Sequence, residues 1–426
     1  MAQYRKARQD GWYTKKSFPH FDLPLSFDDA KSKVTDPAYV AAKPFWPFIG
    51  FVDRKRRFKK NKETIIIKTK DRPLRYCSHH DGYIHSYYAM HLAAKYEAKI
   101  VEMNIADGVV GYRQNIGTNV DMAKAAFDEI RRRKDCVVIA FDIEGFFESI
   151  DHRVLKSNLQ TVLGVDRLAP DWFKVFRSMT QYSWVEIESL AERVDFELAK
   201  PPRPLCSAGD FRVKIRGDGG AFSKILNTNL KGYGIPQGSP ISAVLSNIYM
   251  MEFDRACARF VESLGAFYKR YSDDIILVCR PGQQKLIVDF VTQEISKLGP
   301  SMKISAEKTE ISEFKGAADG GLICDRPVTY LGLTFDGNHT RLRHRTVSRY
   351  YRRMSYAARH TAKAAARAGS RKVFMRKLYR ELTHLGKQNF YSYAKRAKVI
   401  LGENTPVRQL RRHVFILKRK VKNLGR

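Results

Sequence analysis

Two adjacent aspartates at a predicted chain reversal constrain this sequence more than any other feature. Between Ala266 and Val278, two apolar, β-prone runs flank Asp273 and Asp274. The pattern predicts a β-hairpin with the acids at its bend. Successive strand residues face opposite sides, so neighbouring acids reach one site only where the chain turns. A pair of acids is also typical of a solvated turn. Other parts of the chain must therefore distinguish a functional site from such a turn.

The net charge is +33, from 77 Lys and Arg against 44 Asp and Glu. It is uneven, because residues 341–426 hold 26 Lys and Arg but only Glu381 and Glu403 as acids. Such an excess indicates a polyanionic partner, and nucleic acid is favoured over a membrane since no amphipathic anchor is present. Apolar residues interrupt the basic run at helical spacing, which favours a folded basic domain over a solvated tail.

Length and composition exclude several classes of protein. The chain of 426 residues, 44% of them apolar, is expected to form two or three globular domains. No Cys-x-x-Cys pair occurs among the six cysteines, so a reducing cytoplasm is expected. The histidines at 79, 80, 85 and 91 lack the four-residue spacing of a helical zinc site. Without an apolar signal region or a run of about 18 apolar residues, neither secretion nor membrane spanning is expected.

A second acid ends a predicted buried strand. The run Cys136–Asp142 is apolar until its last residue, and the sequence after it, to His152, turns into a helix. A buried strand seldom ends on a charge without a partner or a metal. The alternative role for Asp142 is that of a helix N-cap. A helix is predicted for Thr118 to Arg133, just before the strand.

A Gly- and Pro-containing loop precedes a long predicted helix. The loop reads GIPQGSP from Gly234 to Pro240, and the helical spacing of apolar residues continues to about Leu264, with Ser239 and Pro240 as its start. Its glycines would let the backbone approach a ligand closely, and Gln237 offers a polar group. The alternative is a plain loop before a helix.

The sequence between Arg56 and Tyr76 predicts a basic hairpin with three cations near its bend: Lys68, Arg72 and Arg75. Such cations can hold a triphosphate, and an exposed basic hairpin is the alternative. Residues 1–55 are predicted to be an irregular extension, with Phe45 and Trp46 packing on the next domain rather than stacking on bases. Near the other end, Thr329–Phe335 is predicted to be a short strand in which Gly332 permits close approach. Aromatic residues of the basic region either stack on nucleic acid or form its core: Tyr350, Tyr351, Tyr379, Phe390, Tyr391 and Tyr393.

Taken in chain order, these features resemble the reverse transcriptases. The motifs FDIEGFFESIDH, GIPQGSP and YSDD carry the resemblance, which covers about residues 56–335 by motif and the basic tail by position. It implies an α+β fold, a right-hand polymerase with fingers, a ferredoxin-like palm and a helical basic thumb. The implied domains are an N-terminal extension at 1–55, fingers at 56–135, a palm at 136–335 with a fingers-side elaboration at about 184–232, and a thumb at 336–426.

Within that family, FDIEGFFESIDH and the RPL segment look most like bacterial retroelement polymerases, those of group II introns, retrons and defence-associated relatives. The sequence shows no candidate endonuclease or ribonuclease H region and lacks the Asn-Ala-x-x-His and Val-Thr-Gly signatures of retrons. By elimination it resembles the stand-alone defence-associated reverse transcriptases, of the type 2 class. Ser272 departs from the family pattern, in which Ala or Met is commoner.

The resemblance implies nucleotidyl transfer from a dNTP to a primer 3′-hydroxyl, assisted by two Mg²⁺ ions for which Mn²⁺ can substitute. The implied metal ligands are Asp142 and Asp273, with help from Asp274 and the carbonyl of Ile143. Lys308 is implied to protonate or neutralise the departing pyrophosphate.

Other residues are implied to bind the nucleotide. Phe147, five residues after Asp142, would be a steric gate against a 2′-hydroxyl, although a plain core phenylalanine is the alternative. The resemblance places Gln237 and Gly238 beside the nucleotide. It assigns the phosphates to Arg72 with Lys68 or Arg75.

The implied partners are an RNA template, usually a noncoding RNA encoded beside such polymerases, and a DNA or RNA primer. Four alternatives stay open: a retron-like or intron-type reverse transcriptase, template-independent DNA synthesis, RNA-templated RNA synthesis, and a non-catalytic, maturase-like RNA-binding role. The last predicts loss of an acid, yet all three acids are present. The aromatic Phe147 speaks against RNA synthesis.

Overall fold

The computed structural model describes residues 10–60, 65–195, 203–217, 219–370 and 373–422; for 55–60, 65–68 and 70 it describes the backbone alone. In chain order, its helices are α1 Phe27–Val34, α2 Pro37–Ala42, α3 His79–Glu102, α4 Asn119–Arg133, α5 His152–Leu163, α6 Pro170–Thr180, α7 Ile187–Ala191, α8 Ala208–Asp210, α9 Ser242–Tyr249, α10 Met251–Leu264, α11 Gln284–Lys297, α12 His344–Arg367, α13 Met375–Leu382, α14 Phe390–Leu401, α15 Thr405–Arg408 and α16 His413–Lys422. In the part of the chain so described, no helix combines the length and apolarity that a membrane span needs.

The strands complete a mixed helix-and-sheet structure, which agrees with the predicted α+β class. They are β1 Phe48–Val52, β2 Lys55–Lys60, β3 Ile65–Lys70, β4 Pro73–Tyr76, β5 Cys136–Asp142, β6 Ser183–Glu186, β7 Asn227–Thr228, β8 Phe267–Tyr271, β9 Asp274–Cys279, β10 Glu310–Gly316, β11 Leu322–Cys324, β12 Val328–Tyr330, β13 Leu333–Phe335 and β14 Thr340–Leu342. The predicted strand at Cys136–Asp142 and the predicted acidic hairpin are both confirmed.

The chain divides into two compact units. The first unit comprises Met1–Ala106, Ile143–Ala256 and Thr292–Lys303, and the second comprises Asp107–Asp142, Cys257–Val291 and Ile304–Arg426. The second unit is built on an antiparallel sheet of order β11-β10-β5-β9-β8. Leaving out β11, the strands follow the order of a split β-α-β-β-α-β unit, with helices in the chain after β5 and after β9. This order is the one that the resemblance implied for a ferredoxin-like palm.

The core of the second unit joins this sheet to helices of the basic C-terminal region. Buried Val138, Ile276 and Phe314 of the sheet belong to one apolar cluster with Phe127 of α4 and Met354 of α12. Thr118 caps α4 in a capping box with Asp121, so the predicted helix is confirmed almost residue for residue. All six aromatic residues singled out in the basic region are buried in, or packed against, this cluster. They form the core of the unit.

The segment Thr329–Phe335 is not one strand, as predicted, but two. Strands β12 and β13 pair antiparallel, with Tyr330 opposite Leu333. The two residues between them, Leu331 and Gly332, have φ of 46° and 87°. Positive φ at both central residues is the requirement of a two-residue type I′ hairpin, which explains the glycine. No atom lies within 4 Å of a Cβ placed on Gly332, so close approach is not its role.

The first unit contains a second sheet, of order β4-β1-β6-β7. Strands β2 and β3 pair antiparallel from Lys55 opposite Lys70 to Lys60 opposite Ile65, so Lys68 lies within a paired strand. The predicted bend near Lys68, Arg72 and Arg75 is therefore wrong. After β3 the chain enters β4, which pairs with β1 in the other sheet.

The N-terminal region is not irregular, as predicted, from α1 onward. Ser26 caps α1, and Asp36 caps α2 with Pro37 at its first position, where proline favours a helix start. Trp46 packs in a buried cluster with Ile49 of β1, which agrees with its expected packing role. Asp22 accepts hydrogen bonds from the backbone N–H groups of His79 and His80, 2.9 Å each, at the start of α3.

Candidate active site

The acids of the second unit converge at one end of the five-stranded sheet. Strand β5 ends at Asp142, whose backbone pairs directly with Asp274, the first residue of β9. Opposite residues of an antiparallel pair project from the same face, with Cβ atoms about 4.5–5.5 Å apart. Asp142 is half-buried and Asp274 is exposed. Acids 132 positions apart in the sequence are thus neighbours in the sheet.

Asp273 occupies the hairpin turn. Tyr271 pairs with Asp274, so Ser272 and Asp273 form a two-residue loop. Ser272 has φ of 61°, the left-handed conformation that primed hairpin turns need at their first central position. The tight turn places two consecutive carboxylates at the same end of the sheet. The structure puts Asp274, rather than Asp273, directly opposite Asp142.

Lys308 belongs to this group. It lies in a 3₁₀ turn, Ala306–Lys308, and its ammonium pairs with Asp142 Oδ1. The backbone N–H of Ser305 donates to the Asp142 carbonyl over 2.8 Å, which fixes the segment beside the end of β5. Like charges placed directly opposite each other destabilise a strand pair. The ammonium offsets part of that repulsion, and it stands where negative charge accumulates.

A buried arginine supports the acidic turn. Arg270 is 0% exposed, and its guanidinium donates to the carbonyl of Ser272 over 3.1 Å. Its backbone N–H donates to Gly108 and its carbonyl accepts from Val110, which ties residues 108–110 to the edge of the hairpin.

Tyr330 is buried and interacts electrostatically with Asp274 and Arg270. Burial raises the pKa of Tyr330, and Asp274 acts in the same direction, so this phenol stays neutral.

Gly111 makes the closest approach to the turn. A Cβ built on it would lie 2.6 Å from the backbone N of Ser272 and 2.9 Å from Cα of Tyr271. Both are backbone atoms, so a side chain here must displace the turn. The sequence analysis singled out neither Gly111 nor Arg270. The signals available were a charged residue within a predicted strand and the glycines of the segment GVVG.

The donor set fits magnesium. Carboxylate oxygens on a rigid sheet end are hard ligands, and Mg²⁺ is usually bound by one or two carboxylates together with waters and substrate phosphates. Among the residues that the structure describes, no group of three or more His, Cys, Asp or Glu side chains is arranged to hold a metal ion by itself. Two carboxylates that leave coordination positions for waters and substrate phosphates suit the way in which Mg²⁺ is usually bound.

The predicted nucleotide-binding residues lie in the first unit, where two of the predicted segments meet. The N–H of Arg75 donates to the Gln237 carbonyl over 2.9 Å. A Cβ on Gly238, whose φ is 127°, would lie 2.6 Å from the carbonyl oxygen of Arg75. The absence of a side chain at Gly238 therefore lets the loop backbone approach β4 closely. The close approach to a ligand that the sequence suggested is a separate role for the same glycine. The structure brings the GIPQGSP loop and the RPLRY segment together.

The same loop is anchored to the turn after Phe147. Ile235 N–H donates to the Phe147 carbonyl over 2.9 Å, and Gly234 N–H donates to Ile150 over 2.8 Å. Phe147 lies in a 3₁₀ turn, Phe146–Ser149, and is only 7% exposed, with its ring edge-on to Phe146 at 5.4 Å. The steric-gate and core interpretations of Phe147 both fit this partly covered ring.

Ser239 has a different role from the predicted helix start, because α9 begins at Ser242 and no side chain caps it. His85 Nδ1 and Nε2 lie 2.9 Å from the hydroxyls of Ser239 and Ser178. Ser178 donates its proton to the Val175 carbonyl, so His85 Nε2–H donates to Ser178 and Nδ1 accepts from Ser239. Burial lowers the pKa of His85 to about 3, which keeps the ring neutral for this role.

The predicted phosphate-binding cations differ in their surroundings. Arg72 is exposed, whereas the Arg75 guanidinium stacks 4.5 Å from the Trp184 ring and 5.3 Å from Tyr182. Arg75 is thus engaged by aromatic side chains, and Arg72 is the more available of the two. The side chain of Lys68 lies outside the described residues.

Comparison with known proteins identifies the domain that holds the acidic hairpin. Residues 223–335 match the family model "Reverse transcriptase (RNA-dependent DNA polymerase)". This part of the chain is therefore similar to the reverse transcriptases. The matched residues include the GIPQGSP loop, the acidic hairpin and Lys308, whereas Asp142 and Phe147 precede them.

The chain is also similar to a retron reverse transcriptase. The retron Ec73 reverse transcriptase of Escherichia coli is 32% identical over 88 residues, which cover 20% of this chain and 28% of that protein. The matched segment therefore spans less than a third of the relative's length.

Among solved structures, similarity is found to telomerase from Candida tropicalis. The apo enzyme gives a TM-score of 0.46 at 10% identity, covering 95% of this chain and 66% of the other. A form truncated from the C-terminal domain gives 0.44 at 12%, covering 68% and 54%.

Proposed function

We propose that this protein is an RNA-templated DNA polymerase that extends a primer 3′-hydroxyl with deoxynucleotides. One observation supports this most. Asp142 pairs opposite Asp274 at the end of a sheet with the strand order of a palm, in a chain that is similar to the reverse transcriptases. Two separated acids brought to one sheet end are what divalent-metal nucleotidyl transfer requires.

In this proposal Asp142, Asp273 and Asp274, with the Ile143 carbonyl, hold two Mg²⁺ ions, for which Mn²⁺ can substitute. When bound, the ions supply the positive charge that stabilises the attacking and leaving oxygens. Lys308 neutralises the negative charge that develops on the leaving pyrophosphate. Arg270 and the segment behind it hold the turn that carries Asp273.

Recognition of the nucleotide is assigned to the first unit. Arg72 binds its phosphates, with Lys68 or Arg75 as its partner, while Gln237 and Gly238 border the base and sugar. Phe147 excludes a 2′-hydroxyl. The basic helices after residue 336 bind the template–primer backbone, so binding is expected to weaken steeply with salt.

The proposed biological setting is antiphage defence in the cytoplasm, with a noncoding RNA as template and a DNA or RNA primer. The resemblance to defence-associated reverse transcriptases supports the proposed role in antiphage defence. None of the six cysteines, all of which lie among the described residues, forms a disulfide, which is compatible with a reducing compartment.

A nucleotide-addition assay tests the proposal. Purified protein is treated with nuclease, repurified, and incubated with one labelled nucleotide at a time, with and without RNA sequenced from the untreated preparation. RNA-dependent addition of deoxynucleotides that follows the template sequence is expected. Addition without RNA would instead establish template-independent synthesis, and addition of ribonucleotides an RNA polymerase. If no nucleotide is added but RNA still copurifies with the protein, the result supports the maturase-like RNA-binding role.

Replacing Gly111 by alanine is expected to lower the rate of nucleotide addition at least about tenfold, because the new Cβ must displace backbone atoms of the acidic turn. Single-turnover rates and thermal melting separate a moved turn from an unfolded protein. Gly316→Ala is the matched control in the same unit, since its Cβ would find its nearest neighbour at an ordinary 3.8 Å. Equal rates for Gly111→Ala and the control would show that the turn does not need this close packing.

A further inference from the structure

Helix α12 has two unlike faces. One face is buried and carries Tyr350, Met354, Ala358 and Ala362 at four-residue intervals. That spacing is the apolar stripe of an amphipathic helix, here closed by the core of the second unit. The opposite face is exposed and has no carboxylate over all 24 residues, a length of about 36 Å.

The exposed face is lined with cations. Its exposed basic residues are spaced so that, at about 100° per residue, all of them fall on one side of the helix: Arg349, Arg352, Arg353, Arg359, Lys363 and Arg367. Cations at such spacing share one side of a helix and repel one another, which costs stability in the isolated protein. A polyanion laid along the helix relieves that repulsion.

One aromatic ring interrupts the cations. Tyr356 is 68% exposed, whereas the six aromatics singled out in the sequence are buried in the core or packed against it. Its ring stacks on His360, one turn further on, with centroids 6.1 Å apart and planes at 29°. Arg352 and Arg353 lie one turn before it, and Arg359 one turn after. A flat, exposed ring is therefore framed by guanidinium groups.

We propose that Tyr356 is a base-stacking residue for an unpaired nucleotide of RNA, with Arg352, Arg353 and Arg359 holding the flanking phosphates. Arginine binds phosphate with two parallel hydrogen bonds, so the strand is fixed on both sides of the ring. Aromatic rings between cations are how proteins hold single strands, because every base offers a π-face.

The ring favours an unpaired strand over a duplex. In a duplex the base faces are stacked inside, and a straight helix surface meets only phosphates, sugars and groove edges. Arginines alone are sufficient to bind the phosphates of a duplex. Tyr356, by contrast, can stack on a base only where that base is unpaired and turned outward. The inference rests on the proposed function for its choice of RNA, and it assigns to α12 the recognition of unpaired positions in that RNA.

Binding measurements on the full chain test this. The probes are a labelled unstructured RNA and a blunt RNA duplex of equal length, each titrated at several salt concentrations. Tyr356→Ala is expected to weaken single-strand binding about tenfold, within the roughly 5- to 150-fold that loss of one stacked base entails. Duplex affinity and the slope of affinity against salt should stay unchanged, and Tyr356→Phe should bind as the parent does.

Two further variants make the result specific. Phe374→Ala removes a ring that is 72% exposed outside α12 and should change neither affinity. Arg352→Ala with Arg359→Ala should weaken both probes and lower the salt slope by about 2. Equal loss of both probes in Tyr356→Ala, or no loss of either, would overturn the assignment. Primer extension on a preannealed template reports the polymerase proposal separately, so a protein without activity could still show selective loss of single-strand binding.

Discussion

Replacing Asp273 and Asp274 together by alanine is expected to abolish DNA synthesis while RNA binding persists. Both acids stand at the hairpin turn, one half-buried and the other exposed, and the strands on either side keep their pairing through backbone bonds. The substitution therefore removes the proposed metal ligands at little cost to the fold. Loss of charge stabilisation worth several kcal/mol corresponds to a rate lower by about a thousandfold or more.

Primer extension with a defined template gives the rate, and gel shift with the same RNA gives binding. Glu307→Ala is the matched control, because Glu307 is an exposed acid in the 3₁₀ turn that also holds Lys308. It should extend primers at the parental rate. Undiminished extension by the double variant would end the assignment of these acids, whatever the fate of the control.

The parts of the fold predicted correctly are those in which one local signal decides. Strand β5 is an unbroken apolar run, and burial of the whole strand enforces it. The acidic hairpin has β-prone runs on both sides, and its register follows from a two-residue turn. No local pattern indicates that Asp142 lies beside the hairpin. That expectation came from the order of the motifs along the chain.

The errors arose where tertiary context overrides a local signal. Between Arg56 and Tyr76, β2 and β3 pair with each other, whereas β4 pairs with β1 in a different sheet, and the clustering of cations gave no sign of where the bend lies. Leu331 adopts a positive φ that leucine disfavours, so a turn within an apolar run was missed. Arg270 was missed because a buried arginine is rare, and only the structure places the Ser272 carbonyl within its reach.

The sugar specificity of the enzyme gives a second large effect. Phe147→Ala is expected to raise the efficiency of ribonucleotide addition relative to deoxynucleotide addition by about a hundredfold, because a ring that excludes a 2′-hydroxyl acts by steric overlap. The ratio of the two kcat/KM values is the quantity to measure. It is independent of the fraction of folded protein, which matters because truncating a buried phenylalanine costs about 3–5 kcal/mol.

Phe146→Ala separates the gate from the core. Phe146 is 3% exposed and packs edge-on against Phe147, so its truncation should cost similar stability. If Phe147 is a gate, only its own truncation changes the ratio, and melting temperatures fall in both variants. If both ratios stay at the parental value, Phe147 is a core residue whose carbonyl anchors Ile235 of the GIPQGSP loop. The side chain that excludes ribonucleotides must then be sought among the other residues bordering the nucleotide.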